Sequence, residues 1–152
     1  MAGTSQTVQL DSASNVEVTQ KSTNAAAHVA LSPVPVGVTM LNASSGNVAA
    51  AVAAATLAAA VGATTYLSGF ELTGAGATAG LPVTVTVTGV LGGTLSYTYC
   101  AAVGALLPNN SLIVEFNPPL PASATNTAIV CSCPSLGVGN TNNTMVAHGF
   151  RV

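Results

Sequence analysis

Val83-Thr84-Val85-Thr86-Val87-Thr88 alternates an apolar β-branched residue with a polar one over three full repeats. Successive side chains of a strand point to opposite faces, so this period places three valines on one side and three threonines on the other. A helix would scatter the same residues around its circumference. The stretch therefore reads as a strand with one buried and one wetted face. Its flanks agree: Leu81-Pro82 leads in, and Gly89, Gly92 and Gly93 mark a turn after it. Leu95, Tyr97 and Tyr99 then supply the apolar face of a return strand.

Working outward, the same punctuation repeats. Tyr66–Leu72 alternates and is followed by a glycine-rich loop at Gly74, Gly76 and Gly80. Downstream, Leu112–Phe116 and Ala128–Cys133 read as the next strand pair, joined by a Pro118-Pro119-Leu120-Pro121 loop, and Met145–Arg151 reads as a last strand. Asn47–Ala60 is pulled two ways. Alanine has the highest helix propensity, and Val48/Val52 and Leu57/Val61 fall at helical spacing. Its place just before a strand-rich core favours an extended segment. Short strands separated by Gly/Pro turns imply an all-β fold, a jelly-roll-like antiparallel β-sandwich over residues 48–152. Residues 1–47 form an N-terminal extended arm or edge strands. They carry short alternating stretches at Thr7–Leu10 and Val16–Thr19 and a polyproline-like connector, Ser32-Pro33-Val34-Pro35.

Charge is the second strong signal. Asp11, Glu17, Lys21, Glu71, Glu115 and Arg151 are the six full charges of 152 residues, or 4% against about 25% in an ordinary soluble domain. Ser, Thr, Asn, Gly and Ala cover the surface instead. Such a surface loses little on dehydration, because no strongly solvated ion has to be stripped of water. The outside of this protein reads as something meant to become an interface. Two basic side chains are too few to neutralise phosphates, so no nucleic-acid partner is expected. The apolar run Val48–Ala63 is shorter than the ~20 residues of a spanning helix and is mostly alanine, so no membrane partner is expected either. No export signal is visible at Met1–Leu10, which makes reduced thiols the default for Cys100, Cys131 and Cys133.

Each candidate for chemistry has a plainer reading that fits better. Gly74–Gly80 lacks the spacing of a dinucleotide loop and runs into a strand rather than a helix, so it has no anion-binding helix terminus. Glu71 and Glu115 could form a carboxylate pair, but both sit at outward parity or beside a turn, and no Trp provides a sugar platform. His28 and His148 are the two histidines, and Cys131-x-Cys133 has one intervening residue where a metal site usually has two to four. On a strand those thiols share a face with Ile129, which points to packing. Tyr66-Leu67-Ser68-Gly69-Phe70 lacks the first glycine of a nucleophile elbow. The sequons at Asn42, Asn109 and Asn142 carry no weight without secretion. The expectation is therefore no catalytic residue, no cofactor and no metal.

Ala54–Thr78, with its run Thr64-Thr65-Tyr66-Leu67-Ser68-Gly69-Phe70-Glu71-Leu72, resembles small structural proteins of tailed bacteriophages. So do Gly92-Gly93-Thr94-Leu95-Ser96-Tyr97-Thr98-Tyr99, Leu112-Ile113-Val114-Glu115-Phe116 and Val146-Ala147-His148-Gly149-Phe150. The resemblance, over about residues 48–152, is to capsid decoration or cement proteins. It implies a jelly-roll-like virion component that binds the outside of a phage capsid, with the major capsid protein and further copies of itself as partners. The location it implies is the capsid surface, after synthesis in the host bacterial cytoplasm. The alternative is a tail-fibre, spike or head-fibre component that binds a host receptor. That role favours aromatics in exposed loops, whereas Tyr66, Tyr97 and Tyr99 all fall in expected strands.

Overall fold

The computed structural model describes residues 7–10, 16–19, 37–104 and 111–152. The chain divides into two units, Met1–Leu31 and Ser32–Val152. In the first, β1 (Thr7–Leu10) and β2 (Val16–Thr19) pair antiparallel, with Thr7 opposite Thr19 and Leu10 opposite Val16. The two alternating stretches are thus the arms of one ribbon. The Ser32–Pro35 connector and His28 lie outside the described residues.

Among its described residues the second unit holds eight strands: β3 (Thr39–Ser44), β4 (Ala53–Leu57), β5 (Thr65–Ala75), β6 (Pro82–Thr88), β7 (Leu95–Cys100), β8 (Ser111–Pro121), β9 (Ile129–Cys133) and β10 (Asn142–Arg151). They form two antiparallel four-stranded sheets, β3-β10-β5-β8 (sheet I) and β4-β9-β6-β7 (sheet II). Every connection crosses from one sheet to the other except the β6–β7 hairpin, whose register sets Val85 opposite Tyr97. Eight strands crossing back and forth in this order make a jelly roll. No helix occurs among the described residues.

Ala53–Leu57 is extended, as expected. Ala53, Ala55 and Leu57 are buried while Ala54 and Thr56 are exposed. Pairing along β9 from Cys133 to Ile129 overrides alanine's helical preference. Thr39–Ser44 enters sheet I as an edge strand, so the sandwich takes in residues before 48.

The expected pairing of Leu112–Phe116 with Ala128–Cys133 is not what forms. β8 pairs with β5 in sheet I, and β9 pairs with β4 and β6 in sheet II. Pro118–Pro121 does not end the strand but belongs to it, across an irregular register that includes the cis Asn117–Pro118 peptide. The physical reason is that β8 is an edge. Proline removes an N–H from the side that has no ladder to lose. The true crossover is the Ala122–Ala128 segment that follows.

The core lies between the sheets. Leu67, Phe70 and Leu72 from β5, Val85 and Val87 from β6, Ile129 and Cys131 from β9, and Met145 from β10 are all fully buried. Phe70 meets the Tyr97 ring edge-on at a centroid distance of 5.4 Å. The step from Leu67 to Phe70 breaks strict alternation, because β5 bulges at Ser68 and β10 shifts register at His148/Gly149. Gly149 is required there: any Cβ would run into the Tyr66 carbonyl. Burial is not uniform. On β7 and β8 the core-facing Leu95, Tyr97, Leu112, Val114 and Phe116 are only half-buried.

Candidate functional site

Sequence reasoning offered no reactive centre, so the surfaces decide what this sandwich can do. The outer face of sheet I is a set of cross-strand rows. One row runs Met40, Phe150, Tyr66, Pro121. Tyr66 and Phe150 stack with centroids 5.0 Å apart and planes 8° from parallel. One ring face of Tyr66 is thus taken up by Phe150, and Pro121 is its register partner on the other side.

The next row runs Asn42, His148, Gly69, Glu115, and the one after it Ser44, Val146, Glu71, Ile113. The structure therefore gathers Glu71, Glu115 and His148 around Gly69. The His148 ring fills the space a side chain at 69 would need, with Nε2 2.9 Å from an ideal Cβ there. Glu71 and Glu115 are diagonal neighbours on adjacent strands, which places them ~7–8 Å apart. Both are exposed. Acid–base catalysis by two carboxyls relies on a shielded environment for one of them, and neither is shielded here.

Sheet II presents a different outer face. Ala54 and Thr56, Val130 and Ser132, Thr84, Thr86 and Thr88, and Ser96, Thr98 and Cys100 make it up, and none is charged. One row crosses all four strands as Ala54, Ser132, Thr86, Ser96. The three threonines of the opening motif stand at its centre, repeating every ~6.7 Å along β6, beside strands ~4.8 Å away.

The third surface is one pole of the sandwich, where the β3–β4, β5–β6, β7–β8 and β9–β10 connections meet. Among the described residues these four loops expose the large aliphatic side chains Val52, Leu81, Val103 and Val138, all more than half accessible at 58%, 63%, 57% and 83%. None of the four loops contains a charged residue. The loops are also laced together. Ala50 N–H donates to the Asn140 carbonyl (3.0 Å), Thr78 N–H to that of Val138 (3.2 Å), and Gly76 N–H to that of Gly104 (2.9 Å).

Two buried asparagines reinforce the pole. Asn143 Nδ2 donates to the carbonyls of Ala51 (3.2 Å) and Pro134 (3.1 Å), and Asn140 Nδ2 to those of Ala75 (2.8 Å) and Asn142 (2.7 Å). Asn140 therefore ties its loop to the end of β5 and the start of β10, and Asn143 ties the start of β10 to the β3–β4 and β9–β10 loops. Sequence reasoning missed this pair. The signal was the polar run Asn140-Thr141-Asn142-Asn143, too long for a simple turn and set against the start of a strand.

The sulfur atoms play no surface role in sheet II except at Cys100, which is exposed. Cys131 and Cys133 face the core beside Ile129, fully buried. Burial pushes the Cys131 thiol up to about 12. It pushes that of Cys133 up to about 11, and there a side-chain hydrogen bond with Asn143 pulls partly back. Both are neutral thiols that pack as small hydrophobes. Among the described residues no three His, Cys, Asp or Glu side chains converge as metal ligands. Comparison with family models, curated proteins and solved structures found no match to this chain.

Proposed function

We propose that this protein is a non-enzymatic virion component that binds the outside of a phage capsid and cements neighbouring shell subunits. The observation that carries the reading is the charge-free pole, where four interlocked loops hold Val52, Leu81, Val103 and Val138 in water. Isolated exposed apolar residues are ordinary, but one from every loop of a single pole makes a patch of the kind that marks an interaction site. The backbone bonds between the loops fix that patch in advance. Docking then costs less conformational entropy than ordering mobile loops would. A shell repeats its binding site many times, so a modest contact per site becomes strong holding when sister copies are linked. The gain is mechanical, since release of one subunit must break several contacts together. The jelly roll itself is compatible with this role without requiring it, because the fold hosts many functions.

The receptor-binding alternative has weaker support: the aromatic row on sheet I is spent on its own stacking, and the exposed pole is aliphatic.

Add-back to particles that lack the protein tests the proposal. Wild-type protein should rebind on the order of hundreds of copies per particle, as an attachment repeated over a symmetric shell requires. A Leu81→Asp/Val138→Asp variant should lose at least ~10-fold in affinity, because two carboxylates must be dehydrated on contact. Binding of wild type should hold nearly constant as sodium chloride is raised, since no ion pair is there to screen. Failure to bind, or unimpaired binding by the double-Asp variant, would overturn it.

A further inference from the structure

The 134–141 loop, which carries Val138 at the pole, is anchored by one sealed apolar side chain. Leu136 is 2% exposed, while Pro134, Gly137, Val138 and Gly139 around it lie in water. Its seat is a gap in β5. Gly74 has no side chain, and a Cβ there would run into Leu136 Cδ1. The next nearest atoms to that position, the Asn142 carbonyl oxygen and the Tyr99 hydroxyl, are both 3.4 Å away. Leu136 therefore occupies the space that a side chain at 74 would need.

The polar side of the same loop is less settled. Among the described residues, Asn140 Oδ1 and Asn143 Oδ1 are the two buried side-chain polar atoms that accept no hydrogen bond. Asn140 lies near the end of the loop, and Asn143 donates to the Pro134 carbonyl at its start (3.1 Å). A buried carbonyl oxygen without a donor costs free energy that hydration relieves. Opening the loop gains that hydration. It loses the burial of Leu136 and the bonds from Ala50 and Thr78 N–H to the Asn140 and Val138 carbonyls, which water can replace. Gly137 and Gly139, at φ 102° and 79°, bracket Val138 with the residue type that turns most freely.

We infer that the 134–141 loop is a latch with two states: seated, with Leu136 over Gly74, and unseated, with the loop open and both sheets intact. This deepens the docking reading, on which its use rests, by naming what regulates the pole: only the seated loop holds Val138 in place there. The swing can be local because it lies between ladders. β9 pairs with β4 up to Cys133, and β10 pairs with β5 from Asn142 onward. Opening uncovers Cys133, whose thiol donates to the Pro134 carbonyl (3.3 Å). Cys131, opposite Ala55, stays sealed between the sheets. Two buried thiols on one strand thus report two different events.

Thiol labelling of the purified full chain in a Cys100→Ser background, read residue by residue by mass spectrometry, needs no particle. Its failure is therefore distinguishable from failure of the capsid reading. Cys133 should label at least ~10-fold faster than Cys131 and respond little to low urea, whereas Cys131 should follow global unfolding. Leu136→Ala should speed Cys133 by ~10-fold or more. Gly74→Ala should also speed it, by displacing Leu136, yet add less than ~3-fold in the Leu136→Ala background, where the emptied seat takes the methyl. Val85→Ala weakens the sandwich equally in both loop states and should speed Cys131 alone. Equal labelling of the two thiols at every urea concentration would overturn the inference. So would independent effects of Gly74→Ala and Leu136→Ala, or a Cys133 rate that rises with Val85→Ala.

Discussion

Val85 on β6 and Tyr97 on β7 are direct cross-strand partners facing the same core, yet the valine is sealed and the tyrosine half-open. The centre of the sandwich and its β7–β8 flank are built from the same alternation and the same sort of residue. They differ in what lies beside them. A central strand has a neighbour on each side and a facing sheet above, whereas the flank lacks one neighbour. Alternation tells which way a side chain points. The position of its strand in the topology tells how deep that direction leads.

Replacing matched aromatics is the strongest way to break the comparison. Phe70→Ala, at the centre, should cost ~3–5 kcal/mol in urea unfolding through lost transfer energy and a cavity. Phe116→Ala, at the flank, should cost only ~1–2 kcal/mol, because part of its surface is already in water. Equal losses would mean that the flank is sealed in solution, and a dilution series would then show whether a second copy seals it.

Next comes alkaline pH, which probes the sealed region alone. Cys131 and Cys133 titrate near 9 when unfolded, and burial raises them to about 12 and about 11 in the fold. A raised acid binds its proton more tightly in the native state. Stability from these thiols is therefore complete below pH 9 and is lost as pH climbs through the folded values, by on the order of 2 kcal/mol per thiol at pH 11. Cys131→Val/Cys133→Val should flatten the decline between pH 9 and 11. An unchanged decline would assign it to other groups, first of all Tyr97 and Tyr99, whose phenols burial also raises.

The pole offers a smaller effect. Asn143→Ala removes two buried amide donations, leaves the carbonyls of Ala51 and Pro134 to find water, and should cost ~1–3 kcal/mol. It should also raise hydrogen exchange in the 45–52 and 134–141 loops selectively. The smallest effect belongs to the hydroxyl face, where Thr56→Lys should stay within ~0.5 kcal/mol, since it is exposed on an outer face.

The sequence carried most of the strand content because period-two patterns are local. Val83–Thr88, Tyr66–Leu72 and Ile129–Cys133 each announce their own faces. Strand partnership was less legible. Leu112–Phe116 and Ile129–Cys133 are consecutive in the chain but lie in different sheets, and nothing local to either run says so. The prolines at 118, 119 and 121 read as a loop because their tolerance on an edge depends on knowing that β8 is an edge. The gathering of Val52, Leu81, Val103 and Val138 was likewise invisible. Those residues are spread over 87 positions, and only the topology brings their four loops to one pole.

β10 runs between β3 and β5 in the middle of sheet I, and Ser45 N–H reaches the carbonyl of Met145, a hundred positions along the chain. Synthesis therefore exposes β3 and β5 well before their shared partner exists. At ribosomal speeds of roughly 5–20 residues per second the wait is several seconds. During that interval nascent strands with few charges sit side by side on a polysome, open to pairing with the wrong chain. Non-local pairing of this kind also slows folding itself, because loop closure must precede the contacts that reward it. A lower rate of initiation, which spaces nascent chains apart, should therefore improve soluble yield of this protein more than any change of salt.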